Sequence, residues 1–146
     1  MANPPNPRPD LTSSEIDGLA DERLVHERDA VVTVVVVHWN QPDRCATTLE
    51  RLTHQGVPVR VIVIDNGSQA DAAARLREVV TVSPVTTELV ELGANTGFGP
   101  ASNAGLSRWL HRGQGEWAVV VPHDALPDDD TLKLLVAAAE EQPRAG

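Results

Sequence analysis

Short apolar runs alternate with amphipathic segments along most of this chain. Valines fill almost all of residues 31–37, and a second apolar run, over 59–65, is interrupted only by Arg60. These runs are too short for ordinary helices and rich in β-branched residues, so they predict strands covered on both faces, as in the centre of parallel sheets. Further strands are predicted at 87–92 and 116–121.

Amphipathic segments between and after these strands predict helices. Pro42 suits the first turn of the first helix, with Asn40 or Gln41 near its cap and Leu49 on its apolar stripe, and Gly56 ends it. Three more helices are predicted, over 72–80, 100–110 and 128–141.

Two of these helices carry more specific expectations. In the helix over 100–110, Leu106, Trp109 and Leu110 are predicted to face the core. In the helix over 128–141, three consecutive acids stand at the start, where negative charge complements the helix dipole.

This order of elements, β-α-β-α-β-α-β-α with short connections, predicts an α/β fold. A mostly parallel sheet with helices on both faces gives a three-layer α/β/α architecture. His38, Asp65, Gly93 and His123 each follow a strand. We therefore expect them on one rim, at the carboxyl ends of the strands, where open α/β sheets bind ligands.

Length and composition limit the other possibilities. The 146 residues suit one domain, over 30–146, preceded by a leader over 1–29 that is predicted to be disordered or weakly helical. A formal charge of −9 argues against nucleic acid as a partner. Cys45 is the only cysteine and is expected to be buried, and no apolar run is long enough to cross a bilayer. We therefore expect a cytoplasmic location.

The turn after the second predicted strand carries candidate chemistry. Asp65 stands at the strand end, Gly67 can adopt a positive φ, and Ser68 is placed to cap the next helix. A turn whose polar residues only satisfy backbone groups explains the same pattern, and both interpretations stay open.

A glycine-rich segment, over 93–106, follows the third predicted strand. Its glycines permit close backbone approach, and Pro100 is predicted to start a helix with free amides toward the rim. The segment suits either a phosphate cradle or a sharp loop braced by Asn95 and Asn103. A dinucleotide fold would need Gly-x-Gly-x-x-Gly after the first strand, which is missing, as is a Gly-Lys-Ser/Thr phosphate loop.

Four motifs in order resemble those of the family 2 glycosyltransferases of GT-A fold, and the resemblance covers roughly 31–146. They are His38-Trp39-Asn40, Asp65-Asn66-Gly67-Ser68, Asn95-x-Gly97-Phe98 through Asn103-x-Gly105, and Pro122-His123-Asp124-Ala125-Leu126-Pro127. The resemblance implies a Rossmann-like, nucleotide-sugar-binding domain. The residues implied in donor binding are His38, Trp39, Asn40, Asp65, Asn66, Gly67, Ser68, Asn95, Gly97, Phe98 and Asn103.

The resemblance also implies individual roles. Asp65 would accept a hydrogen bond from the base, typically uracil or thymine, and Asp124 would hold Mg²⁺ or Mn²⁺ on the donor diphosphate, with His123 as a second candidate ligand or a polar loop residue. Such a hard cation binds one or two carboxylates and takes other ligands from phosphate and water. Pro122 stands where the first acid of the Asp-x-Asp element is expected, and Ser102 where many members carry arginine. The latter departure indicates similarity to rhamnosyl- and galactofuranosyl-type transferases.

The implied function is inverting transfer of a sugar from a UDP- or dTDP-linked donor to an unknown acceptor. This chain would supply the donor-binding half, with the catalytic base expected beyond residue 146. Peripheral membrane association of a full-length enzyme and a homodimer are compatible with this function. The alternatives are a non-catalytic nucleotide-binding or protein-interaction module and, more remotely, a dinucleotide enzyme.

Overall fold

A computed structural model describes residues 32–113 and 115–142. Within them, parallel strands form one sheet in the order β3-β2-β1-β4. The strands are β1 (Val32–His38), β2 (Val59–Asp65), β3 (Thr86–Glu91) and β4 (Trp117–Pro122). The helices are α1 (Pro42–Arg51), α2 (Ala70–Thr81), α3 (Phe98–Arg112) and α4 (Thr131–Glu140), and a 3₁₀ turn (Leu52–His54) follows α1. The predicted leader lies outside the described residues.

Helices cover both faces of the sheet, so the predicted three-layer α/β/α fold is confirmed. On one face, Leu49 of α1, Leu76 of α2 and Leu132 of α4 belong to one buried cluster with alternate valines of β1. On the other face, α3 packs so closely that a β-carbon at Gly105 would lie 2.2 Å from Val35 Cγ1. No helix in the described ranges combines the length and apolar character needed to cross a bilayer.

The arginine that interrupts the second apolar run is buried with its charge matched across the sheet. Arg60 is 5% exposed, and its Nη2 atom lies 4.0 Å from Glu88 on β3. Glu88 also accepts hydrogen bonds from Arg108 and Arg112 of α3. Carboxylate and guanidinium groups thus gather under the last turns of α3, where cations complement the negative end of the helix dipole.

One predicted core position is wrong. Leu110 is 67% exposed, whereas Leu106 and Trp109 pack against the core as predicted. The reason is that Gly105 defines the side of α3 that touches the sheet, and Leu110 lies about 140° around the helix from it.

The predicted starts of two helices are also wrong. α3 begins at Phe98, so Pro100 lies inside its first turn. α4 begins at Thr131, after the three acids, because Asp130 is left-handed at φ 61° and donates its backbone N–H to His54 O. α1 ends at Arg51, and the 3₁₀ turn carries the chain toward Gly56.

Candidate functional site

The carboxyl ends of three neighbouring strands meet at one rim of the sheet. His38, at the end of β1, pairs in register with Asp65 at the end of β2. On the other side of β1, the backbone N–H of His123 donates to Val37 O at 3.0 Å just beyond β4. The rim predicted from the sequence therefore exists and is centred on β1.

His38 and Asp65 form a buried hydrogen-bonded pair. The backbone N–H of Gln41 donates to His38 Nε2 at 3.2 Å, so this nitrogen accepts and the ring proton lies on Nδ1. Nδ1 lies 3.0 Å from Asp65 Oδ1, to which it therefore donates. Burial lowers the pKa of His38 below 6.5, although its hydrogen bond to Asp65 acts in the opposite direction. In this pair His38 is thus the donor, through Nδ1, and Asp65 the acceptor.

Ser68 joins this pair to the loop after β1. Its hydroxyl donates to Asp65 Oδ1 and accepts the backbone N–H of Asn40 at 2.8 Å. Asn40 has a left-handed φ of 55°, and its side-chain oxygen accepts the N–H of Gln69 at 2.7 Å. The prediction that Ser68 caps α2 is wrong, since Gln69 is the cap residue and makes no side-chain capping bond.

Asn66 fixes the glycine-rich loop after β3 to the turn after β2. Its side-chain oxygen accepts the backbone N–H of Thr96 at 2.9 Å, and its amide nitrogen donates to Asn95 Oδ1 at 3.2 Å and to Gly97 O at 3.3 Å. Asn95 Oδ1 also accepts the N–H of Gly97. The predicted bracing by Asn95 is present, and the Asn66 side chain is occupied in building the rim.

The start of α3 presents both aromatic and polar groups at the surface. Phe98 is 53% exposed, and Trp39, after β1, is 48% exposed. Asn103 is also exposed and makes no side-chain hydrogen bond within the part of the chain that the structure describes, so of the two asparagines in the braced-loop alternative only Asn95 holds the loop. Ser102 is buried and donates to Phe98 O at 2.7 Å, which keeps its hydroxyl inside the helix.

Two buried polar side chains that the sequence analysis missed hold the loop after β4. The Thr48 hydroxyl of α1 lies 2.8 Å from His123 O and 2.7 Å from Ala125 O, and shares its proton between them. Gln55 donates to Asp128 O and accepts the N–H of Leu132. In the sequence, Thr48 and Gln55 are marked only as polar residues in or just after an amphipathic helix.

Asp124 and His123 occupy the β4 side of the rim. The Asp124 side chain is 46% exposed and lies 3.6 Å from the Arg44 guanidinium. His123 Nδ1 lies 3.3 Å from Val37 O, while its buried Nε2 has no hydrogen-bond partner among the residues that the structure describes. The rings of His123 and His38 meet edge to face, with centroids 5.3 Å apart. This contact connects the Asp65 and Asp124 sides of the rim.

On the Asp124 side of the rim, a single exposed carboxylate could contribute one ligand to a divalent cation. Within residues 32–113 and 115–142, no three His, Cys, Asp or Glu side chains are grouped to enclose a metal. The exposed Asp124 carboxylate suits a Mg²⁺-like ion that takes most of its ligands from phosphate and water. His123 Nε2 is buried, so a cation would need a shift of that ring to reach it.

Two solved structures resemble the chain. The mannosyltransferase PcManGT from Pyrobaculum calidifontis, in complex with GDP-Man and Mn²⁺, matches with a TM-score of 0.63 and 28% identity over 75% of this chain and 32% of that chain. TarS of S. aureus matches with a TM-score of 0.57 and 23% identity over 75% of this chain and 19% of that chain. The chain therefore spans about a third of the mannosyltransferase, and the likeness to TarS concerns the fold alone.

Sequence comparison agrees with this structural likeness. No curated protein has a significant sequence match to the chain. The profile described as Glycosyl transferase family 2 matches residues 33–146, which is more than half of the chain. The match includes all four rim motifs and the sheet that carries them, and on this evidence the chain belongs to glycosyl transferase family 2.

Proposed function

We propose that this chain binds the donor of a glycosyltransferase that moves a sugar, with inversion, from a nucleoside diphosphate to an acceptor. The observation that carries the proposal is the rim itself, where Asp65 and Asp124 flank the end of β1. Family membership supports glycosyl transfer, and the similar mannosyltransferase holds both a nucleotide sugar and Mn²⁺.

Each part of the donor has candidate partners on the rim. For the base, Asp65 offers a carboxylate and Trp39 an exposed ring. For the diphosphate, the backbone N–H groups of Phe98 and Gly99 at the start of α3 have no partner within the described ranges, and helix N-termini favour anions. We assign the base as uracil or thymine.

The β4 side of the rim would serve the leaving group. Asp124 would contribute one carboxylate to Mg²⁺ or Mn²⁺, and Arg44 would have to release that carboxylate first. A bound cation supplies Lewis-acid neutralisation of the negative charge that grows on the departing nucleoside diphosphate. His38 and Ser68 would keep Asp65 oriented throughout, since both donate to its Oδ1 atom.

Within the family we favour a rhamnosyl- or galactofuranosyl-type donor. The support is Ser102, whose hydroxyl bonds to Phe98 O and leaves no cationic side chain where many members carry arginine.

Calorimetry with the 146-residue chain tests the proposal directly. UDP and dTDP should bind in millimolar Mg²⁺ or Mn²⁺, and Asp65→Ala should weaken binding by about tenfold or more, because it removes a charged hydrogen-bond acceptor. Asp71→Ala, an exposed acid in the first turn of α2, is the matched control and should bind like the parent. If folded protein binds neither nucleotide with either metal, the proposal is wrong.

A non-catalytic protein-interaction module is the second candidate. Leu134 and Leu135 of α4 are 66% and 53% exposed, which favours contact between α4 and another apolar surface. Sedimentation would separate the candidates: a dimer whose formation abolishes nucleotide binding favours the module, whereas a monomer that binds UDP favours the transferase.

A further inference from the structure

Asp65 is held at only one of its two carboxylate oxygens. Its Oδ1 atom accepts the Ser68 hydroxyl, from the turn after β2, and the His38 Nδ1–H, from the end of β1. Its Oδ2 atom makes no hydrogen bond within residues 32–113 and 115–142. The Asp65 side chain as a whole is 4% exposed, and Oδ2 is its oxygen without a protein donor in these ranges.

This asymmetry limits what Asp65 can recognise. A carboxylate that reads guanine uses one oxygen for N1–H and the other for the 2-amino group, whereas uracil and thymine present a single N3–H. With Oδ1 already accepting two protons, Asp65 has one oxygen left. A guanine amino group would then lose water without gaining an acceptor, which weakens binding.

We propose that His38 and Ser68 determine base specificity by making Asp65 a one-oxygen acceptor that selects uracil or thymine over guanine. The inference rests on the proposed function, in which Asp65 contacts the base. His38 is a positioning residue here, because it acts through Asp65. Guanine is the base of the donor in the similar mannosyltransferase, so the two proteins would differ in nucleotide choice.

His38 makes one hydrogen bond through each ring nitrogen, and two substitutions each keep one of these bonds. His38→Asn places an amide N–H close to the position of Nδ1 and so keeps the donor to Asp65 Oδ1. His38→Gln places its amide close to Nε2 and so keeps only the partner of Gln41. Ser68→Ala removes the other donor to Oδ1 independently. Ser107→Ala, on the exposed side of α3, is the matched control.

The test is calorimetric titration of UDP, dTDP and GDP in Mg²⁺ into each folded variant. The parent chain, His38→Asn and Ser107→Ala should prefer UDP and dTDP over GDP by about tenfold or more. His38→Gln and Ser68→Ala should reduce this preference several-fold, chiefly by binding GDP more tightly. A purely structural role for His38 would lower the affinity for all three nucleotides equally.

Failure of this inference differs from failure of the proposed function. If UDP and GDP bind the parent chain equally, or if Ser68→Ala and His38→Gln leave the preference unchanged, the specificity role is wrong and the donor site stands. If no nucleotide binds the folded parent, both are wrong. Should a His38 variant not fold, Ser68→Ala and the preference of the parent chain still decide the result.

Discussion

A β-carbon at Gly67 would lie 2.3 Å from the carbonyl carbon of Ala94, so the turns after β2 and β3 touch through their backbones. Gly67 also has a positive φ of 74°. We expect Gly67→Ala to lower the free energy of unfolding by about 2–4 kcal/mol, since it adds a steric overlap to the cost of a left-handed residue. Urea denaturation measures this change.

Gly93 provides a matched control for that substitution. It has the same φ of 74°, but no atom of the described residues lies within 4 Å of the position a β-carbon would take. Gly93→Ala should therefore lower the free energy of unfolding only by the cost of a left-handed alanine, about 1–2 kcal/mol. Equal losses for the two variants would show that the contact with Ala94 contributes nothing.

The Asn66 side chain should control the opening of the glycine-rich loop. Asn66→Ala removes the acceptor of the Thr96 N–H and two hydrogen-bond donations to residues 95 and 97. We expect hydrogen exchange at the Thr96 amide to accelerate about tenfold, because its part-buried hydrogen bond to Asn66 is lost. Asn103→Ala, which removes an exposed side chain, should leave this exchange rate unchanged.

Arg44 should compete with a cation for Asp124. The two side chains lie 3.6 Å apart and are both well exposed, so their attraction is weak. Arg44→Ala should tighten Mn²⁺ binding in the presence of UDP by up to about fivefold, as expected for an exposed ion pair. Arg51→Ala, at the exposed end of α1, changes the net charge equally and should have a smaller effect. Weaker Mn²⁺ binding in Arg44→Ala would contradict the proposed competition.

Cys45 should be chemically inert in the folded protein. It is fully buried, and burial raises its pKa from 9.0 to about 12. At pH 8 an aromatic disulfide reagent should therefore label Cys45 only as fast as the chain unfolds, and denaturant should release full reactivity. Rapid labelling without denaturant would show that α1 detaches from the sheet.

The same shift sets a pH dependence of stability. Above pH 9 the unfolded thiol loses its proton while the folded thiol keeps it. The unfolded state thus binds fewer protons, and the free energy of unfolding falls as pH rises from 9 toward 12. Cys45→Ala should remove this part of the slope, which urea titrations at several pH values would detect.

The pattern of apolar residues along the chain predicted the strands and helices whose position does not depend on distant contacts. Valine-rich runs identify β1 and β2 because both faces of these strands are buried. The rim followed from topology, since parallel strands end on the same side. Donor and metal roles for the rim residues stay predictions.

Tertiary contacts explain what the sequence analysis missed. The exposure of Leu110 depends on the approach of Gly105 to Val35, a contact between distant segments. Ser68 looked like a helix cap, but its hydroxyl oxygen accepts the backbone N–H of Asn40 from the loop after β1. The importance of Thr48 likewise comes from carbonyl groups more than 70 residues away. Such pairings carry no periodic signal along the chain.

The central position of β1 has a consequence for screening. β1 pairs with β2 on one side and β4 on the other, and the rim is built on its end, so the rim exists only while the sheet is intact. A molecule that rests there binds the native state alone and must raise the melting temperature by mass action. At a concentration 100 times its Kd, the ligand raises the free energy of unfolding by about 2.7 kcal/mol. Thermal shift across a panel of nucleotide sugars could therefore identify the donor without an acceptor or a turnover assay.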